Sequence, residues 1–264
     1  MTIFQAIILG VVQGITEFFP VSSSGHLVIF QALFGLKEPQ MAFDIFLHLG
    51  TLISVLIFFR KDILRLFSED RKTLLFLIVA SIPTAVIGFL FKDVAEKFFA
   101  APRAVGCMLG ITGAWLVLAS IYANRISQKR GLGLFNSIVI GIAQGIAVIP
   151  GISRSGATIA TGIMTGLDNE LAVRFSFLLA IPAILGASAV KAHKFFQCDI
   201  VKYKYHPAAA NPEQMLCFWA GGITAMLIGI LSIKVILKLI KNNKLHIFGI
   251  YCIFMALLVI MLFK

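Results

Sequence analysis

Apolar residues run along this chain in long unbroken stretches separated by short charged links. Six stretches, 41–59, 73–91, 103–123, 171–190, 215–236 and 245–263, are long enough to cross about 30 Å of hydrocarbon as helices. A run such as Leu245 to Phe263 has no period-two alternation, so it reads as helix and not as a strand of a closed barrel. Pro83 and Pro182 lie inside two of these spans and are expected to bend them. Regions 1–36 and 134–167 break the pattern. In each, an apolar segment enters a polar loop and a second apolar segment of about eleven residues follows, rising about 16 Å, half a bilayer. Such segments read as re-entrant hairpins, whose irregular backbone survives at membrane depth only against protein or a wet cavity.

The two hairpins are related. GVVQGITEFFPVSSSGH (10–26) aligns without a gap on GIAQGIAVIPGISRSGA (141–157). Gly10, Gln13, Gly14, Ile15, Ser22, Ser24 and Gly25 fall on Gly141, Gln144, Gly145, Ile146, Ser153, Ser155 and Gly156. Three spans follow each hairpin, an odd number, so the second half enters the membrane inverted. Shared small residues alone would also suit helix-packing faces. The expected fold is an all-α integral membrane protein with six transmembrane helices, two re-entrant helical hairpins and an inverted-topology repeat. It forms a single membrane domain over 1–264, with repeat halves 1–130 and 131–264.

Composition supports this class: 59% of residues are hydrophobic and 13% charged, which excludes an ordinary soluble domain. The net charge of +11 fits basic loops beside anionic lipid and needs no nucleic acid. Arg60, Lys61, Arg65, Arg71, Lys72, Arg125, Lys129, Arg130, Lys234, Lys238, Lys241 and Lys244 form the richer set of loop charges. The poorer set is Lys92, Lys97, Arg103, Lys191, Lys194, Lys202 and Lys204. That bias places the first set in the cytoplasm, with both termini and the 191–214 loop outside. The N-terminal MTIFQAIILGVVQG has neither basic leader nor small-residue cleavage site, so no signal peptide is expected. Cys107, Cys198, Cys217 and Cys252 lack metal-ligand spacing, and the three in apolar runs read as packing residues. The small-xxx-small step from Gly106 to Gly110 permits a homodimer.

Polar chemistry gathers at the hairpin tips. In PGISRSGAT (150–158), Arg154 lies between Ser153 and Ser155, with Gly151 and Gly156 outside them. A guanidinium at membrane depth needs an anion or water, and its fork suits phosphate. The loop opens a helix whose free N–H groups also favour an anion, and the hydroxyls of Ser153, Ser155 and Thr158 add donors. The competing reading pairs Arg154 with Glu17 as a structural ion pair. The first tip carries Ser22, Ser23, Ser24 and His26, close enough for a hydroxyl and an imidazole to meet around one turn. Glu17 shares a helix face with Gln13 and can hold a divalent ion, orient His26 or take a proton. Asp44 and His48 either line the same cavity or snorkel to the interface. Glu170 and Arg174 read as a pair at a helix start. His193 and His206 read as solvated, and His246 starts a span.

QGITEFFPVSSSGH (13–26) together with PGISRSGAT (150–158) resembles the bacterial undecaprenyl-diphosphate phosphatase family, linked to bacitracin resistance. The resemblance extends over the whole chain in length and span order. It implies a multi-pass enzyme of the bacterial inner membrane that removes the terminal phosphate of undecaprenyl diphosphate. The product is the monophosphate carrier of peptidoglycan synthesis, and a divalent cation, Mg²⁺ or Ca²⁺, assists. The implied partners are the polyprenyl diphosphate and membrane lipids. By position, the glutamate motif falls on Gln13 and Glu17, the serine motif on Ser22, Ser23 and His26, and the arginine motif on Ser153, Arg154, Ser155 and Thr158. Many members carry glutamate where this chain has Gln13, leaving Glu17 as the main carboxylate. The resulting expectation gives His26, Ser23, Glu17 and Arg154 catalytic roles. Ser22, Ser24, Ser153, Ser155, Gly156 and Thr158 bind phosphate beside Arg154, and Glu17 and Gln13 hold metal. Ser23 assisted by His26 is the favoured attacker, with His26 itself the alternative. A transporter or flippase of a polyprenyl phosphate is the alternative function, since a phosphate cradle does not demand hydrolysis.

Overall fold

A computed structural model describes residues 1–36, 40–99, 101–123, 131–197, 212–241 and 244–263. Arg125, Lys129, Arg130, Cys198, Lys202, Lys204 and His206 lie outside these residues, and of the side chains of Lys191, His193 and Lys194 nothing is described. The described residues form helices and no strand.

The first hairpin is α1 (Ile3–Thr16) and α2 (Ser23–Leu33). A capping box starts α1: Thr2 Oγ1 accepts from Gln5 N, and the Gln5 side chain accepts from Thr2 N. Next come α3 (Met41–Phe58), α4 (Arg60–Ser68), α5 (Arg71–Leu90), α6 (Lys92–Phe99) and α7 (Pro102–Ala123). The second half is α8 (Leu134–Ile146), α9 (Arg154–Met164), α10 (Asn169–Gln197), α11 (Pro212–Lys241) and α12 (Leu245–Leu262).

Five helices, α5, α7, α10, α11 and α12, are long and apolar enough to cross a membrane, and α3 with α4 makes a sixth if the bent pair counts as one span. The chain is thus an integral membrane protein. The first expected span, 41–59, is α3, and the chain bends 67° after Phe58 into α4, a helix not expected from the sequence. Arg60, Lys61, Asp62 and Arg65 follow the bend, while Leu66 stays buried. The charges turn α4 away from hydrocarbon and its one apolar stripe holds it to the protein. Helix α10 runs to Gln197, beyond the expected end at 190. Both α5 and α10 continue as helix through Pro83 and Pro182.

The short helices pack by close backbone approach. Along α11, a Cβ on Gly10 of α1 would sit 2.6 Å from Gly221 O, and one on Gly14 2.8 Å from Ala225 O. The matching glycines of α8, Gly141 and Gly145, lie equally close to Ala80, Pro83 and Ile87 of α5. Each half therefore docks its hairpin on a helix of the other half. Helices α7 and α12 cross reciprocally: a Cβ on Gly113 would meet Gly249 O at 2.7 Å, and one on Gly249 would meet Gly113 O at 2.9 Å. In a bilayer, where burial of apolar surface gives little drive, such small-residue contacts let dispersion and backbone packing act. The Gly106–Gly110 step faces Val259, Ile260 and Ala256 of α12, so this stripe is occupied within the chain.

The tips are held from the opposite halves. Thr112 of α7 donates to Gly151 O at 2.9 Å and accepts from Ser153 N at 3.0 Å. Cys252 of α12 reaches Pro20 O at 3.6 Å. Phe18 and Phe19 fasten the first tip on two sides, Phe18 edge-on against Phe177 and Phe19 edge-on against Phe248, both at 5.4 Å between centroids.

Gly10→Leu and Gly141→Leu should each destabilise the purified protein by at least about 1–3 kcal/mol, because the added side chain meets backbone. Gly88→Ala, with nothing within 4 Å of its Cβ, should be neutral or stabilising by up to about 1 kcal/mol. Thermal unfolding in detergent checks all three. By the same measurement Thr112→Val should cost about 1–3 kcal/mol, since it leaves both Gly151 O and Ser153 N buried without their partner.

Candidate active site

The two tips share one local design. Ser22 caps α2 by accepting from Gly25 N at 3.3 Å, and Ser153 caps α9 by accepting from Gly156 N at 3.0 Å. In both, the capping hydroxyl lies 3.3 Å from the hydroxyl two residues on, Ser24 or Ser155. The tips also touch: a Cβ on Gly25 would lie 3.4 Å from Gly151 Cα, one on Gly156 3.4 Å from Pro20 Cβ, and Ser155 Oγ donates to Phe19 O at 3.2 Å. They differ at the cap backbone. Ser22 has φ +68°, a left-handed conformation that strains a residue with a Cβ, whereas Ser153 is extended at −73°.

Glu17 follows the last turn of α1, is 6% exposed and is surrounded by donors. Arg154 Nη2 donates to its Oε1 at 2.6 Å, joining the two halves of the chain. Ser23 Oγ donates to Oε2 at 2.5 Å. A carboxylate can only accept, so the Gln13 atom 3.0 Å from Oε2 is the amide nitrogen. That nitrogen also donates to His48 Nδ1 at 2.9 Å, which brings His48 of α3 to 3.6 Å from the carboxylate. Two buried polar atoms of this cluster have no partner among the described residues: Gln13 Oε1 and Arg154 Nη1. A buried donor and a buried acceptor left open beside a half-exposed serine are what a bound oxyanion and its counter-ion would satisfy.

The cluster thus brings together Gln13, Glu17, Ser23 and Arg154. The ion pair, weighed from the sequence against a phosphate cradle, is made by Nη2 of Arg154 and leaves its Nη1 without a partner among the described residues. His26 takes another direction. Its Nδ1 lies 2.8 Å from Ser22 O and its Nε2 2.8 Å from the Tyr251 hydroxyl, so neither nitrogen is directed at Ser23. The hydroxyl–imidazole pairing expected around the first turn is replaced by a hydroxyl–carboxylate one. Thr158 turns its hydroxyl inward, onto Arg154 O at 2.9 Å and against Ser176 Oγ at 2.5 Å, and the Gly156 N–H is taken by its cap. Elsewhere, Glu170 and Arg174 pair as expected, and Asp62 of α4 joins them at 3.2 Å.

Three residues were missed or left undecided: His48, Thr112 and Tyr251. His48 stood out only as a polar residue four after Asp44, and Thr112 and Tyr251 carry no local signal in their apolar helices.

Among the described residues no group of three or more His, Cys, Asp or Glu side chains is placed to hold a metal. The Glu17 carboxylate and the unpartnered Gln13 Oε1 are hard oxygen donors. They are the donors that would hold a hard divalent cation such as Mg²⁺ or Ca²⁺.

A family model described as bacitracin resistance protein BacA matches residues 6–258. A protein of Halothermothrix orenii named undecaprenyl-diphosphatase is 39% identical over 99% of this chain and 98% of its own length. Proteins with the same name from Carboxydothermus hydrogenoformans and Caldicellulosiruptor bescii are 42% and 40% identical, each alignment covering at least 94% of both chains. With a family model spanning nearly the whole sequence and relatives aligned end to end, the chain belongs to the bacitracin resistance protein BacA family.

Proposed function

We propose that this protein is a membrane phosphatase that hydrolyses undecaprenyl diphosphate to undecaprenyl phosphate and inorganic phosphate. The relatives' shared name supports the substrate. The observation that carries the chemistry is the Glu17 carboxylate flanked by the Ser23 hydroxyl and by a guanidinium with one buried nitrogen open. In this reading Ser23 Oγ attacks the terminal phosphorus and Glu17 accepts its proton. The anhydride O–P bond breaks and undecaprenyl phosphate leaves. Water then displaces the phosphoryl group from Ser23, whose oxygen recovers the proton from Glu17. Arg154 Nη1 and the first N–H groups of α2 and α9 hold the phosphoryl oxygens, so positioning and charge neutralisation supply most of the rate. Glu17, not His26, is the base within reach of the attacking hydroxyl. A divalent ion on Glu17 and Gln13 would neutralise diphosphate charge.

The same reading makes the chain one membrane domain of two inverted halves, with α1–α2 and α8–α9 as re-entrant hairpins and six spans once α3 and α4 are counted together. The docking of α1 on α11 and of α8 on α5, and the reciprocal α7–α12 crossing, support it. An inner-membrane location follows from the substrate.

Purified protein in detergent should release phosphate from undecaprenyl diphosphate, and chelation of divalent cations should suppress the release. Ser23→Ala should lower kcat by at least about 100-fold while the protein stays monodisperse, and Arg154→Ala should lower it as far while also destabilising the protein, because Glu17 is left buried without its cation. Glu17→Ala should also destabilise it by about 3–5 kcal/mol, because Arg154 is left buried without its anion. Movement of the lipid across sealed vesicles without phosphate release would overturn the phosphatase reading in favour of a carrier.

A further inference from the structure

His26 is the reactive tip residue that the carboxylate cluster leaves unused. The atom facing its Nδ1 is the Ser22 carbonyl oxygen, which can only accept, so Nδ1 carries a proton. In the neutral ring Nε2 is then an acceptor, and the group 2.8 Å away, the Tyr251 hydroxyl, donates to it. The two rings lie parallel within 9°, centroids 5.8 Å apart. Ser22 O, His26 and Tyr251 therefore form one chain, acceptor to imidazole to hydroxyl. Hydrolases orient a working hydroxyl with the same order of groups.

Burial separates the two members. His26 is 3% exposed and closed in between the tip and α12, whereas Tyr251 is 39% exposed. The exposed member of the pair is thus the tyrosine and the enclosed one the imidazole. Ile250 and Phe254, beside Tyr251 on α12, are 61% and 62% exposed, as befits a helix surface facing lipid tails. Ser23 and His26 are three apart on α2 and so lie on adjoining sides of one turn. A headgroup with its terminal phosphate at Ser23 and Arg154, and its tail leaving towards lipid past α12, would bring its second phosphate to the phenol.

We propose that Tyr251 is a further catalytic residue, the hydrogen-bond donor to the lipid-side phosphate of a polyprenyl diphosphate, and that His26 is a positioning residue acting through it. With the site empty the phenol proton points to His26 Nε2. With substrate bound it rotates about the C–O bond onto a phosphate oxygen and gives up its bond to Nε2, so His26 acts by holding the phenol in place before substrate arrives. As the anhydride breaks, negative charge grows on that phosphate, so the bond strengthens where it affects kcat. This inference rests on the phosphatase reading above.

Steady-state phosphate release from undecaprenyl diphosphate by the purified full-length protein tests it. Tyr251→Phe, which keeps the ring stack, should lower kcat by about tenfold or more. The double variant with His26→Ala should be no slower than the slower single variant. Replacing Tyr251 by 3-fluorotyrosine and 3,5-difluorotyrosine leaves the ring's shape nearly unchanged and makes the phenol more acidic, so kcat should change in graded order with acidity. A merely structural tyrosine would give a flat series. A flat series, a Tyr251→Phe rate within twofold of wild type, or losses that multiply in the double variant would each overturn the proposal. Should Tyr251→Phe fold poorly, the fluorotyrosine series alone decides. Wild-type protein that releases no phosphate sinks the phosphatase reading, whereas active wild type with an equally active Tyr251→Phe sinks only the role of Tyr251.

Discussion

A carboxylate buried in a membrane protein cannot stand alone, and the core of this one is organised around that constraint. Glu17 has lost nearly all contact with solvent, and taking an ion out of water costs several kcal/mol even after the surroundings relax. Arg154 supplies the opposing charge at 2.6 Å, with Ser23 and the Gln13 amide completing the shell. Neither charge is tolerable without the other. Because they come from different hairpins, the site forms only when both tips meet. The pair contributes little net stability in such a setting but penalises any arrangement that separates its members.

The surrounding fold supplies what that pair needs. The short apolar helices α1 and α8 leave bare backbone at their ends, and in an integral membrane protein those ends must be satisfied inside protein. Serine caps take one N–H at each tip, Thr112 takes the turn around Gly151 and Ser153, and glycine faces let α1 and α8 lie against α11 and α5. All of these contacts are short range. They fit a solvent in which burying apolar surface gains little and close packing must do most of the holding.

The legibility of the sequence follows the same division. The polar tips and the long apolar runs were readable because their signals are local: a polar cluster between apolar segments, about twenty apolar residues in a row. The bend after Phe58 was not, since an apolar run gives length but not direction, and the charges that turn α4 aside read equally well as a loop. Thr112, His48 and Tyr251 escaped assignment because their partners lie 35 to 225 residues away in the chain. The pairing of Ser23 was misjudged for a related reason. One-turn spacing brings His26 near enough, but Ser22 O and Tyr251 fix the ring the other way and leave the hydroxyl to Glu17.

A repeated hairpin would give two equal half-sites, and the departures from equality show how one site came of two. At the first tip the motif retains an acid and an imidazole; at the second the positions of Glu17 and His26 are held by Val148 and Ala157, and the guanidinium of Arg154 stands where the first has Ser23. The backbone departs at the same place, with Ser22 strained into the left-handed region and Ser153 extended. Strain of that kind persists only where neighbours over-determine it, and here it lies one residue before the hydroxyl that meets Glu17. Charges of opposite sign, one on each tip and at non-equivalent positions of the repeat, make the two tips attract where two copies of either would repel. Divergence within the repeat thus serves assembly and chemistry together.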